Sequence, residues 1–171
     1  MPMPSGTEPH PTDDWPTGYD PRAYPVHAYN EIRTSLPPER LWPVLTDAAA
    51  WPHWYGNARK VALQGGHDRL ADRVTFTWVT FGMAITSRVH ECIPTRRLGW
   101  IAQGSLGSLG YHRWDLTPTA DGGSLVVTEE VQRMPLARLI GPLVRRAMER
   151  EHQNWLDGLV RVAAEAAEPL P

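Results

Sequence analysis

The chain reads as an α+β domain: a curved antiparallel sheet of six to seven strands around one long C-terminal helix, with two short helices after the first strand. Three observations predict it. Apolar and polar residues alternate with a period of two in successive segments between residues 24 and 133. Turn signals separate those segments, among them Gly65-Gly66-His67-Asp68 and Ala120-Asp121-Gly122-Gly123. From Pro135 onward the period lengthens to that of a helix. One sheet and one helix, each apolar on one side, bury those sides most economically against each other.

The first strand is expected over 24–35, with Val26, Ala28, Asn30, Ile32 and Thr34 on one face and His27, Tyr29, Glu31 and Arg33 on the other. Ser35 and Pro37-Pro38 then announce a helix, because proline in the first turn forfeits no intrahelical bond. Glu39 suits the positive end of the helix dipole. Pro43 and Asp47 keep the helix short, with Leu41, Trp42 and Leu45 on its apolar side. A second short helix follows in AAAWPHWY, where Trp51, Trp54 and Tyr55 share a face. Strands are then expected over 58–64, 73–81, 83–93, 98–103, 111–118 and 124–133, with a glycine-rich loop at 104–110. Leu136, Leu139, Ile140, Leu143 and Val144 begin the helical pattern, which Gly141-Pro142 is expected to break or bend, leaving a long helix over 142–167. Its stripe runs through Val144, Met148, His152, Trp155, Leu159 and Val162, with His152 the polar interruption.

Residues 1–22 hold six prolines with no periodicity and read as a flexible arm, the domain proper occupying 23–171. A length of 171 residues suits one domain. The formal net charge of −2 and the absence of a basic stripe argue against nucleic acid as a partner. No run is long and apolar enough to span a membrane, and the first residues lack the pattern of a secretory leader. A single cysteine, Cys92, rules out an internal disulfide framework and fits a reducing, cytoplasmic setting. Monomer and homodimer are both compatible with the surface composition.

Two segments resemble a known family. SLPPERLWPVLTDAAAWPHWY, with Leu41-Trp42, Leu45, Asp47, Trp51-Pro52 and Trp54-Tyr55, is similar to the opening of the START-like (SRPBCC) superfamily, in its polyketide cyclase/dehydrase-like branch. YHRWDLTPTADGGSLVVTEE is similar to that family's penultimate hairpin. The resemblance covers about residues 24–167 and implies a helix-grip, Bet v 1-like fold with a deep ligand cavity. Members bind lipids or other hydrophobic ligands, or act as aromatase/cyclases. They share no universal catalytic group. The Pro-rich arm and the doubled proline at Pro37-Pro38 depart from the pattern.

The residues themselves offer no metal motif. HExxH and Cys-x-x-Cys are absent, and His10, His27, His53, His67, His90, His112 and His152 are scattered, so neither a metal nor another cofactor is expected. The glycines of 103–111 form no phosphate-binding fingerprint, and no serine lies on a nucleophile elbow. His112 and Glu130 remain as a candidate acid/base pair, provided that both strands turn those residues inward; a one-residue slip would turn them out. Arg88 and His152 are further polar candidates. Trp54, Tyr55, Trp78, Trp100, Trp114 and Trp155 serve equally as core or as pocket lining, with Met148 and Leu159 closing the pocket from the helix. Three functions fit: binding of a hydrophobic or aromatic small molecule in an internal cavity, a cyclase or dehydratase using cavity acid/base groups, and a protein-interaction module.

Overall fold

The computed structural model describes residues 14–135 and 137–166. Most of the arm, Leu136 of the helical pattern, and the last residue of the expected helix lie outside them. Seven strands form one antiparallel sheet: β1 (Val26–Thr34), β2 (Arg59–Leu63), β3 (Thr75–Thr80), β4 (Met83–Ile93), β5 (Arg97–Gln103), β6 (Leu109–Pro118) and β7 (Ser124–Arg133). Their order is β1-β7-β6-β5-β4-β3-β2. The chain therefore meanders from β2 to β7, and β1 closes the sheet beside β7. Register shifts within β2 and between Val89 and Glu91 of β4 mark irregularities of the kind that bend a sheet.

Helix α1 (Pro38–Thr46) and a 3-10 helix (Ala48–His53) fill the connection from β1 to β2, as the prolines and Asp47 predict. Pro38 lies in the first turn of α1, and Trp51 of the second helix donates its indole N–H to the Leu45 carbonyl at 3.0 Å. That bond locks the two short helices into one corner.

Helix α2 (Ala137–Glu165) corrects one expectation: it runs unbroken through Gly141-Pro142. Pro142 is exposed, so solvent can serve the carbonyl that the proline leaves without its usual donor. Gly141 faces inward, and a Cβ there would stand 3.3 Å from the Pro25 carbonyl oxygen. The glycine thus lets the helix approach β1. Leu139, Ile140 and Leu143 are exposed rather than part of the buried stripe. Farther along, Met148, His152, Trp155 and Leu159 are buried as the stripe predicts, joined by Leu156 and Ala163.

The core lies between the concave face of the sheet and the helices. Leu41, Leu45, Trp51, Phe76, Trp100, Trp114, Trp155 and Leu159 are among its members. The opposite face of β5–β7 is buried too. Arg113 and Glu129 are fully buried there, paired at 3.3 Å, and Arg113 also reaches Asp115 at 2.9 Å. Trp15 lies over the Arg113 guanidinium at 4.6 Å, and Tyr19 packs against Tyr111 with ring centroids 4.8 Å apart.

Candidate functional site

His112 and Glu130 face each other directly across the β6–β7 ladder. The inward parity holds for both strands: His112, Trp114 and Leu116 on β6, and Val126, Thr128 and Glu130 on β7, face the core side. The helix supplies a third group. His152 stands one turn beyond Met148 and three residues before Trp155, which aims it at the same spot. Glu130 Oε2 lies 3.2 Å from His112 Nδ1 and 3.2 Å from His152 Nε2. The remaining atoms of His112 and Glu130 are held as well: His112 Nε2 lies 2.7 Å from the Thr128 hydroxyl, and Gln132 donates to Glu130 Oε1 at 3.1 Å. His152 Nδ1 is buried and has no hydrogen-bond partner among the described residues.

Burial pushes the His112 imidazole below its ordinary range, and its contact with Glu130 opposes that only in part. Burial would raise the Glu130 carboxyl, but hydrogen bonds from His112 and His152 outweigh it and hold the group below the usual carboxylate range. At neutral pH the pair is therefore a carboxylate accepting a hydrogen bond from a neutral imidazole. Such a set can orient a polar ligand atom, carry a proton between oxygen atoms, or donate lone pairs to a cation.

Beside this triad lies a cavity of about 30 Å³, room for about two water molecules. Tyr55, Trp78, Trp100 and Trp155 contribute to its wall with His112, Glu130 and His152. The space expected between a bent sheet and a straight helix is thus mostly filled. Trp51 explains why: its ring centroid lies 4.8 Å from Trp155, 5.7 Å from Trp78 and 5.9 Å from Trp100. Tyr55 stacks on Trp155 at 4.5 Å, and the phenol is driven above its ordinary range by burial. The indole N–H groups of Trp100, Trp114 and Trp155 are buried without an acceptor among the described residues.

Five residues singled out in the sequence lie away from this wall. Trp114 stands behind His112, their rings stacked at 5.9 Å. Trp54 packs against Gly158 of α2, where a Cβ would meet its ring at 2.9 Å. Leu159 belongs to the main core, and Met148 joins Val26 and Ala28 in a separate small cluster. Arg88 is exposed on β4. Conversely, Thr80, Phe81 and Met83 at the β3–β4 turn line the cavity, as does Gln132. Gln132 was legible in the sequence, since it shares the parity of Thr128 and Glu130. Thr80 shares the parity of Phe76 and Trp78 in the same way, whereas Phe81 and Met83 carry no such signal.

The model of the family described as "Polyketide cyclase / dehydrase and lipid transport" matches residues 25–164. The chain belongs to this family. Solved structures agree with the polyketide cyclase/dehydrase and lipid transport assignment at the level of fold. A hypothetical protein of Helicobacter pylori, jhp0584, is 26% identical with a TM-score of 0.81, over 88% of this chain and 95% of that one. A START superfamily protein of Mycobacterium smegmatis is 12% identical with a TM-score of 0.69, over 82% and 99%. The Zhui aromatase/cyclase of Streptomyces sp. R1128 is 17% identical with a TM-score of 0.63, over 83% and 95%. Among curated protein sequences, none matches the chain. The helix-grip, START/Bet v 1-like architecture expected from the sequence is the one observed.

Proposed function

We propose that the protein binds a small aromatic or otherwise hydrophobic molecule that carries an oxygen acceptor, between the sheet and the C-terminal helix. The observation that carries this reading is the composition of one wall. Tyr55, Trp78, Trp100 and Trp155 offer apolar surface, while His112, Glu130 and His152 form a single polar end. The acceptor-less indole N–H groups of Trp100 and Trp155 belong to two residues of that wall. A buried donor without an acceptor is costly, and a ligand oxygen would satisfy it. Pockets of this kind are mostly apolar with few directing groups.

A cavity of about 30 Å³ is too small for a ring system, so binding requires the wall to yield. The β3–β4 turn is the place for it, because Phe81 is 37% exposed and Met83 is only partly buried. Titration with 2-naphthol is expected to quench tryptophan fluorescence saturably at one molecule per chain, and naphthalene to bind more weakly for want of the hydroxyl. Native mass spectrometry of gently purified protein is expected to show a bound small molecule. No saturable quenching by 2-naphthol, together with ligand-free mass spectra, would overturn the reading.

A second reading, a cyclase or dehydratase, is favoured by the ionisable groups in the same wall. Glu130 would take a proton from a carbon beside a carbonyl and pass it to the adjoining imidazole as that imidazole's own N–H proton goes to the departing hydroxyl, which leaves as water, so that carboxylate and neutral imidazole are both restored. Turnover of a β-hydroxyketone probe that disappears in Glu130→Gln while 2-naphthol binding persists would establish it. Unchanged turnover in that variant would exclude it.

A further inference from the structure

We propose that His112, Glu130 and His152 form a binding site for a divalent first-row transition metal ion, held by His112 Nδ1, a Glu130 carboxylate oxygen and His152 Nε2. Their ligand atoms all lie within 4.8 Å of one another, and all three residues are buried. Two of the distances are close to those an ion would set. An ion bound tetrahedrally at about 2.0–2.1 Å from nitrogen and carboxylate oxygen sets neighbouring donors about 3.3–3.4 Å apart. Glu130 Oε2 stands 3.2 Å from each of the two imidazole nitrogens, and the two nitrogens, within 4.8 Å of each other, would draw together around the ion.

Two of the three groups have the organisation that metal ligands require. Ligating histidines are normally oriented through their second nitrogen, and ligating carboxylates by a further hydrogen bond. Thr128 serves His112 in this way, and Gln132 serves Glu130. The Thr128 hydroxyl accepts as readily as it donates, so His112 can move its hydrogen from Nδ1 to Nε2 and present Nδ1 as a lone pair. His152 can move its own hydrogen to Nδ1, the buried atom without a partner. Both changes are tautomeric, and neither requires a proton to leave the protein.

Charge points the same way. The ion-pair partners of Glu130 among the described residues are the two histidines, with no lysine or arginine beside it. An ion held by all three groups would neutralise a carboxylate that the fold has removed from water. The donor set of two imidazoles and one carboxylate suits zinc, iron or cobalt rather than calcium or magnesium, which take mainly oxygen. Three protein ligands leave a coordination position for water or a substrate oxygen. The adjoining cavity is where that position would open, and it also gives the ion a route in past Phe81 and Met83. Nothing in this proposal depends on the identity of an organic ligand, so failure of the 2-naphthol experiment leaves it standing.

The test uses the full chain, stripped with chelator and titrated with Co²⁺ and then Zn²⁺. One Co²⁺ per chain is expected, with the intense visible absorption of a four- or five-coordinate site and its loss when Zn²⁺ displaces cobalt. Glu130→Gln and His152→Ala are each expected to weaken binding at least 100-fold, with folding checked by circular dichroism. Should these variants fail to fold, Thr128→Val removes only the group that orients His112 and is expected to weaken binding about 10- to 100-fold. The double variant His53→Ala/His67→Ala, at two exposed histidines, should bind as the unaltered protein does. No saturable cobalt binding would overturn the proposal, as would binding that Thr128→Val leaves unchanged and His53→Ala/His67→Ala abolishes.

Discussion

Trp155→Ala tests whether the interior is as full as the ring geometry indicates. Trp155 packs edge-on against Trp51 at 4.8 Å and Trp114 at 5.1 Å, and face to face with Tyr55 at 4.5 Å. It is 1% exposed. A buried indole removes about 150–250 Å² from water, which at about 25 cal/mol per Å² is about 4–6 kcal/mol of transfer free energy. Part of that area is already covered in the unfolded chain, which lowers the figure. Measured costs for such truncations are about 3–5 kcal/mol, and that is the loss expected here. With a urea slope near 2 kcal/mol per M, the midpoint should fall by about 1.5–2.5 M.

The same variant gives a second readout. The space vacated by the indole is walled by aromatic rings, and apolar cavities of about 150 Å³ bind small aromatic molecules. Added indole should therefore restore stability to Trp155→Ala, by about 2.7 kcal/mol at one hundred times its dissociation constant. The unaltered protein should gain much less. A loss below about 1 kcal/mol on truncation would show that Trp155 is loosely packed. Equal stabilisation of both proteins by indole would show that the unaltered interior admits a ring as readily as the vacated one. Either result would refute the filled interior.

Arg113→Ala should cost about 3–5 kcal/mol in urea denaturation, because it removes a buried cation shared by Glu129 and Asp115 and leaves Glu129 with His27 and Asp115 with Arg97; a loss under about 1 kcal/mol would mean that the outer face is wetter than it looks. Burial, the largest cause in each case, raises the phenols of Tyr29, Tyr55 and Tyr111 above their ordinary range. The unfolded chain therefore loses these protons first, so stability should be intact below about pH 10 and decline above it. Alkaline titration of tyrosine absorbance should rise later for the native than for the denatured protein, and coincident curves would contradict the burial.

How much of this was legible in the sequence follows from which rule each feature obeys. Period-two alternation located the strands and offered His112 and Glu130 as a pair without settling which parity faces inward; the ladder sets them opposite each other on the core side. The helical stripe marked His152 as its polar interruption, and that residue completes the triad. Their meeting was not legible, because it depends on how α2 lies across the sheet, a relation between segments separated by the whole β7 connection. Spacing rules for metal ligands fail here for the same reason: the three groups come from three elements. The fullness of the interior was equally hidden. Trp51 reads as a helix-corner residue, yet its ring occupies the centre of the space that a bent sheet leaves. The break expected at Gly141-Pro142 did not occur, because local propensity there yields to a helix seated against β1.

The two buried faces of the sheet decide where motion can arise. On the inner side, β5–β7 are gripped by Trp100, Trp114 and Trp155; on the outer side, the Arg113–Glu129–Asp115 cluster lies beneath Trp15 and Tyr19. Glu129 adds a contact to His27 of β1 at 3.0 Å, and Arg97 of β5 meets Asp115 of β6 at 2.6 Å. Displacing these strands would expose ionic groups on one side and aromatic rings on the other at once, so the triad rests on the stiff half of the sheet. The β3–β4 turn lacks such cover: Phe81 and Gly82 both have positive φ, and Phe81 is tied back through its backbone N–H to the Asn57 side chain at 2.8 Å. Breaking that bond costs about 0.5–1.5 kcal/mol, far less than opening the core at Trp155. A ligand that reaches the histidines therefore enters most cheaply by lifting Phe81 and Met83, with the polar end of the site held fixed while the apolar wall adapts.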